Sequence, residues 1–253
     1  VFDPAAYRPP WDFVAGLPAR VPRTVLKLAP GIDHALLPPG AEGEWVSVDG
    51  DLVEATAWCG PLAGAPRRAT LLRGTGDAAL TGTGDRTAPV GRPGGAAPDD
   101  GLGGRAGDRA ARPGRGGGRR AAPQAPVTPG CVLYDPDPAV VRAHLVAEFA
   151  ETVGGWLGDP RVAYVYAADH TPTPYARAVA VTDVLPFSLK RLRALLRARG
   201  VGRLEIMKRS SPLDPHTLRR QLGPAGPHAA TLVLTRVGDA PLAMLGQPVP
   251  AAR

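Results

Sequence analysis

"RTVLKLAP" (residues 23–30) and "EWVSVDGDLVEATAWCG" (residues 44–60) decide the fold of this chain. The first is a short apolar run bounded by Pro22 and Pro30, the pattern of a buried strand. The second has β-favouring residues on both sides of Asp49-Gly50, a dipeptide suited to a two-residue hairpin turn. Trp45, Val46, Val48, Leu52, Val53 and Trp58 supply its packing. "RRATLL" (67–72) adds a further strand. Upstream, "YRPPWDFVAGL" (7–17) reads as a turn into a short helix, punctuated by Pro9 and Pro10 with Asp12 near its start. One buried strand and a hairpin cannot cover both faces of a sheet, and a buried parallel strand needs parallel neighbours. Residues 1–73 therefore read as the tail of a larger α/β sheet. The chain opens on Val1 rather than a methionine, so the expectation is that the rest of that sheet lies upstream.

The 253 residues include 32 Gly and 30 Pro, and the glycines concentrate between residues 74 and 129. In "GRPGGAAPDDGLGGRAGDRAARPGRGGGRRAAPQAP" (91–126) Leu102 is the lone large apolar residue. Such a stretch cannot bury enough surface to offset its ordering entropy, so a disordered Gly/Arg/Pro linker is expected over 74–129. The net charge of +7 divides unevenly. Residues 1–85 hold seven basic and ten acidic side chains, 86–129 eight and three, and 130–253 fifteen and ten. Only Lys27, Lys190 and Lys208 are lysines, and an Arg-, Ala-, Gly- and Pro-rich chain is also what a GC-rich genome produces. Local clustering, not global charge, has to argue for a nucleic-acid partner. Cys59 and Cys131 read as reduced thiols of a cytoplasmic protein. No apolar run approaches the ~18 residues of a membrane span, and no secretory leader is visible.

Residues 130–253 show a second α/β pattern. "CVLYDPDPAVVRAHLVAEFAETVGGW" (131–156) gives a strand, then a helix capped by Asp137 with Pro138 at its first position, Val141, Leu145, Phe149 and Thr152 recurring at helical spacing. "RVAYVYAA" and "YARAVAVTDVLPF" are strands. "SLKRLRALLRARG" is a helix capped by Ser188 and stopped by Gly200, and "RLEIMKRS" is a strand. "DPHTLRRQLG" repeats the Asp-Pro helix start. "HAATLVLTRVGDAPLAML" closes the pattern as a hairpin around Gly238-Asp239. Together these describe a small, self-sufficient α/β domain.

Between Ser188 and Arg220 stand ten basic residues against Glu205 and Asp214. On the 188–200 helix the leucines share one side, and Lys190, Arg193 and Arg197 project from the other. Lys208 and Arg209 on the next strand and Arg219 and Arg220 on the next helix extend the patch. Such a surface suits phosphate contacts; an ordinary solvated helix of an Arg-rich protein is the alternative. "RPGRGGGRR" (112–120) similarly resembles RNA-binding arginine–glycine tails, or is a plain linker. "LLRGTGD" (71–77) superficially suggests a cofactor loop, but no helix follows it, so it reads as a turn. His34, His144, His170, His216 and His228 form no pair with metal-ligand spacing, and Ser210-Ser211 lacks a nucleophile context. No catalytic or metal-binding set is assigned.

Three stretches, "VFDPAAYRPPW" (1–11), residues 25–62 and nearly all of 131–248 with "LYDPDPAVVRAHLV", "DVLPFSLKRLR" and "LEIMKRS", resemble the C-terminal half of bacterial class I S-adenosylmethionine-dependent methyltransferases that carry a THUMP-like domain. The resemblance implies three parts: residues 1–73 as the end of a Rossmann-like sheet, 74–129 as a linker and 130–253 as the THUMP-like domain. "RTVLKLAP" would be the fifth strand of the sheet, and 44–58 its antiparallel sixth and seventh. It also implies S-adenosylmethionine as cofactor of the complete protein, with the cofactor and catalytic motifs upstream of this chain and no cofactor site within it. Asp3-Pro4 has no strand before it and is not taken for the family's catalytic Asp-Pro. RNA (tRNA or rRNA) is the implied partner, with no membrane and no metal. Trp11 and Lys27 would be nearest the substrate side. A non-catalytic RNA-binding module or an inactive gene fragment remain the alternatives.

Overall fold

The computed structural model of the chain describes residues 8–84 and 124–250. Two short helices, α1 (Trp11–Ala15) and α2 (Leu17–Arg20), lead into strand β1 (Val25–Leu28). Strands β2 (Glu42–Val48), β3 (Asp51–Trp58), β4 (Arg67–Leu72) and β5 (Ala78–Gly82) follow and form a five-stranded sheet of order β1-β3-β2-β4-β5. The β2–β3 hairpin turns at Asp49 and Gly50, whose φ values of 49° and 92° are what a tight hairpin requires. β3 then pairs antiparallel with β1 and β2 on its two sides, so the second strand of the hairpin lies between β1 and the first.

Two expectations are corrected here. β1 is not buried on both faces: Leu26 and Leu28 point into the core while Val25 and Lys27 are exposed, as befits an edge strand paired on one side among the described residues. Order also continues past residue 73. Gly74 lies in the tight turn of a second hairpin, whose return strand β5 falls inside the stretch expected to be disordered. Residues 85–123 lie outside the described residues, and the last part of the expected linker is again ordered, with Gln124 bridged to Leu157 and Val127 packed on the core of the second sheet.

The second sheet has seven strands in the order β10-β11-β12-β9-β6-β8-β7. Its members are β6 (Val132–Pro136), β7 (Trp156–Leu157), β8 (Val165–Ala167), β9 (Ala176–Pro186), β10 (Val201–Lys208), β11 (His228–Val237) and β12 (Ala240–Val249). Helices α3 (Pro138–Arg142) and α4 (Val146–Thr152) replace the single helix expected after Asp137. The break falls at His144, whose φ of 59° no helical residue adopts. Asp137 nevertheless caps α3, its Oδ1 accepting the Ala139 amide at 2.9 Å.

α3 and α4 lie between the two sheets. Val140, Leu145 and Phe149 are fully buried in one cluster with Trp45, Ala57 and Leu71 of the first sheet and Tyr134 and Val165 of the second. Polar ties reinforce this contact: Arg73 pairs with the capping Asp137 (3.1 Å), and the Tyr175 hydroxyl donates to the Ala79 carbonyl (2.9 Å). The core therefore runs across residue 130.

The seven-stranded sheet curls. In a flat sheet β10 and β6 would stand about 19 Å apart. Arg209, just after β10, nonetheless contacts Asp135 of β6 at 2.7 Å, and Arg177 of β9 contacts Glu205 of β10 at 2.6 Å. Inside the curl pack Leu133, Tyr164, Val181, Met207, Val233 and Met244. The loop carrying Asp159 closes over one end, where its carboxylate accepts from Arg161 and from the Gly238 amide (2.9 Å) in the β11–β12 turn.

Candidate nucleic-acid interface

The basic patch sits on two helices that cover the other face of the same sheet. α5 (Leu189–Ala198) begins at Ser188, whose hydroxyl accepts the Arg191 amide, and is followed by Gly200 at φ 61°. Its Leu192 and Leu196 are buried against Leu204, Leu232 and Leu245. α6 (Pro215–Leu222) begins at Asp214, which accepts the Thr217 amide at 2.8 Å, and ends at Gly223 in the left-handed region. It links the parallel pair β10 and β11. Ser188, Gly200 and Asp214 are the capping residues expected from sequence.

The structure brings the seven basic residues singled out from sequence onto neighbouring elements, but it divides their duties. Lys190, Arg193, Arg197, Lys208, Arg219 and Arg220 are exposed, and Arg209 is half-buried. Several already donate to carbonyls. Arg193 Nε reaches Gln221 O (2.7 Å), and Lys208 Nζ reaches Leu213 O (2.9 Å). Arg219 donates to Leu204 O through Nε and Nη2 (3.2 and 3.0 Å). Arg209 is held by Asp135 and by the Pro136 carbonyl (3.1 Å), with its guanidinium 5.4 Å from the centre of the Tyr164 ring. Arg220 makes one contact at 3.4 Å, to the Thr217 hydroxyl. Lys190 and Arg197 are the two without a hydrogen-bond or ion-pair partner among the described residues.

The two substrate-side residues lie elsewhere. Trp11 packs half-buried against the core from α1, and Lys27 is exposed on β1, ion-paired with Glu54 at 2.8 Å. Neither joins the basic patch.

A cluster that sequence reasoning missed sits where α3 meets the first sheet. The His34 ring stacks on Trp45 (4.3 Å) and on His144 (3.8 Å). Its Nε2 lies 2.7 Å from the Arg142 carbonyl, and its Nδ1 accepts from Arg67 Nε (3.1 Å). Partial burial, with the nearby His144, Arg67 and Arg142 charges, lowers its pKa to about 4. His34 is neutral at pH 7 and serves as a joint. All of these partners except Trp45 are more than thirty residues away, so no local pattern announces them. The two cysteines are free and buried. Among the described residues no group of three or more His, Cys, Asp and Glu side chains could hold a metal, and no helix is long and apolar enough to cross a membrane.

The fold and patch together define a mixed α/β protein of two sheets whose basic helices cover the second. Residues 176–248, which hold β9 to β12 with α5 and α6, match the family model described as THUMP domain-like. The chain is also 34% identical over 219 residues to an uncharacterized S-adenosylmethionine-dependent methyltransferase of Mycobacterium tuberculosis, found in two strains. That match covers 85% of this chain and 50% of the relative, so the chain spans about half the length of the curated relatives it matches. The crystal structure of a protein designated a methyltransferase from Porphyromonas gingivalis superposes with a TM-score of 0.59 at 17% identity, over 89% of this chain and 51% of that one; this likeness speaks for the fold alone. The chain is thus similar over most of its length to an S-adenosylmethionine-dependent methyltransferase and carries a THUMP-like match at residues 176–248.

The one Gly-x-Gly loop suggested by the sequence, at residues 74–76, does not fit S-adenosylmethionine. The strand followed by Gly-x-Gly is β4, and its Gly74-Thr75-Gly76 leads into antiparallel β5 instead of opening a helix. It therefore presents no helix N-terminus to an anionic or adenosyl group.

Proposed function

We propose that this chain is part of an S-adenosylmethionine-dependent RNA methyltransferase, in which residues 1–73 end the catalytic domain's Rossmann-like sheet and residues 130–253 form a THUMP-like domain that positions RNA in the cytoplasm. The segment 74–129, apart from the β4–β5 hairpin, serves as the linker, and the cofactor is held by residues outside this chain. The observation that carries the reading is the strand order β1-β3-β2, with an antiparallel hairpin folded back beside a short edge strand. It supports an end-of-sheet assignment, because the free side of β1 is where parallel strands would continue. Val25 of β1 is itself half-exposed.

For RNA, the support is the arrangement of cations on α5 and α6. Lys190, Arg193, Arg197 and Arg220 are placed to meet phosphates, while Lys208, Arg209 and Arg219 hold the surface in shape. Trp11 and Lys27 face the substrate side of the catalytic domain. Calorimetric titration of S-adenosylmethionine into this chain and into a protein extended upstream through the same locus tests the enzyme reading. Binding by the extended form alone is expected. Binding by neither overturns it and favours an RNA-binding module without chemistry, which the basic stripe on α5 equally supports.

A further inference from the structure

We infer that the cleft at the C-terminal end of α5 is a pocket for one unstacked RNA base, a conclusion that rests on the RNA-binding reading above. The cleft measures about 370 Å³, within the range of ligand sites. Its floor includes the buried side chains of Val201 and Ala230, and its rim is formed by Thr182, Arg199, His228 and Gln247.

The rim is held in place from below. Arg199 Nη2 pairs with Asp183 Oδ1 at 2.9 Å, and Asp183 Oδ2 accepts from the Thr182 hydroxyl at 2.8 Å. Gln247 Nε2 donates to the Ala229 carbonyl at 3.0 Å, which fixes the amide. His228 is positioned through its backbone amide, bonded to the Gly200 carbonyl at 3.0 Å.

The charge balance selects the ligand class. Asp183 neutralises Arg199, so the cleft is a poor site for a bare anion. What remains is an apolar floor, a guanidinium plane, an imidazole and an amide with its Oε1 uncommitted among the described residues. That set recognises a neutral, flat body with hydrogen-bonding edges, which is the chemistry of a nucleobase splayed out of a single strand. Of the seven basic residues singled out from sequence, the two without a partner among the described residues, Lys190 and Arg197, lie on α5 itself. Lys190, Arg193 and Arg197 recur at three- and four-residue spacing on its outer side and lead toward the helix end that forms the cleft. The geometry gives a backbone track that ends in a base pocket.

The test uses the whole chain and a fluorescein-labelled 12-nucleotide oligouridylate carrying one 2-aminopurine, followed by anisotropy and by 2-aminopurine emission. Stacking in the cleft is expected to quench that emission on binding. Ala229→Phe fills the mouth without changing any charge; it is expected to weaken binding about tenfold and to abolish the quenching. Lys190→Glu with Arg197→Glu is expected to weaken binding while leaving the quenching of the bound fraction intact. As a readout that needs no variant, uridine monophosphate is expected to shift the Ala229 and Ala230 methyl resonances of the unmodified protein. Wild-type binding and quenching by Ala229→Phe, or methyls that do not move, would overturn the pocket while the charge reversals keep the RNA reading alive. No oligonucleotide binding at 50 mM salt overturns both.

Discussion

Edge strands β10 and β1 end their sheets in opposite ways. β10 is guarded: the Arg219 guanidinium donates twice to its Leu204 carbonyl, Lys208 at its end folds onto Leu213, and Arg209 beyond it is tied across the curl to Asp135. β1 carries one charge, Lys27, which is spent on Glu54, and its Val25 is 47% exposed. Sheet edges left in this condition recruit further strands, and proteins block them where no partner is meant to arrive. The difference is that β10 is braced along its edge by side chains, while β1 is left bare on one side among the described residues. The two edges belong to one body only if the helices between the sheets couple them, and that link is the first to attack.

Phe149 has no exposed surface and sits in α4 among residues of both sheets. Phe149→Ala is expected to cost about 3–5 kcal/mol, the range for a large buried aromatic. Both sheets are expected to lose it together. Hydrogen exchange on β3 and on β8 would show this as an equal loss of protection. Unequal losses would mean that each sheet has its own stability and that the comparison of edges concerns two bodies.

Arg219→Ala removes two hydrogen bonds from an exposed edge and is expected to cost about 1 kcal/mol. The more telling effect is association: with its guard gone, β10 is expected to self-associate, seen as a concentration-dependent mass by light scattering. A monomeric Arg219→Ala protein that is merely less stable would show that the guanidinium is a brace and not a guard.

The His34 joint makes the coupling pH-dependent. Its folded pKa of about 4 lies below the ordinary 6.5, so between these values the unfolded chain binds a proton that the folded chain refuses. Its contribution is fully present above pH 6.5 and is lost as the pH falls toward 4. The urea midpoint of the wild type is expected to drop over that window more steeply than that of His34→Gln. Parallel curves would remove His34 from the coupling.

How much of this could be read from sequence depends on the range of the interactions. The Asp49-Gly50 turn, the Gly238-Asp239 turn and the caps at Asp137, Ser188 and Asp214 are set within a few residues, and each is where the residues placed it. β1 read as doubly buried because alternation is hard to judge in four residues, and its neighbours were supplied by inference. The break at His144 was hidden because Val141, Leu145 and Phe149 keep helical spacing through it; a left-handed residue between two short helices leaves the apolar pattern undisturbed. β5 was missed because "AALTG" (78–82) is bland, and a strand there exists by virtue of its pairing with β4. The basic patch was legible as a set. Which of its members spend their donors on carbonyls was not, because Leu204, Gln221 and Pro136 offer backbone oxygens, which carry no sequence signature. The curl that places Arg209 on Asp135 and the rim around Arg199 depend on strands that are remote along the chain.

Val25→Lys gives the smallest thermodynamic effect and the sharpest test of the open edge. Val25 is half-exposed on the outward face of a four-residue strand, so the substitution is expected to change stability by less than about 0.5 kcal/mol. A lysine there adds a second charge two residues from Lys27, the device by which natural edges avoid pairing. Sedimentation of this chain is expected to show concentration-dependent association that Val25→Lys abolishes. In a protein extended upstream through the same locus the open edge would be occupied. There Val25→Lys is expected to leave the mass unchanged and to lower the melting temperature instead, because the lysine would intrude on a filled interface. Identical behaviour of Val25→Lys and wild type in both proteins would mean that β1 is a finished edge after all, and the asymmetry between the two sheets would lose its functional meaning.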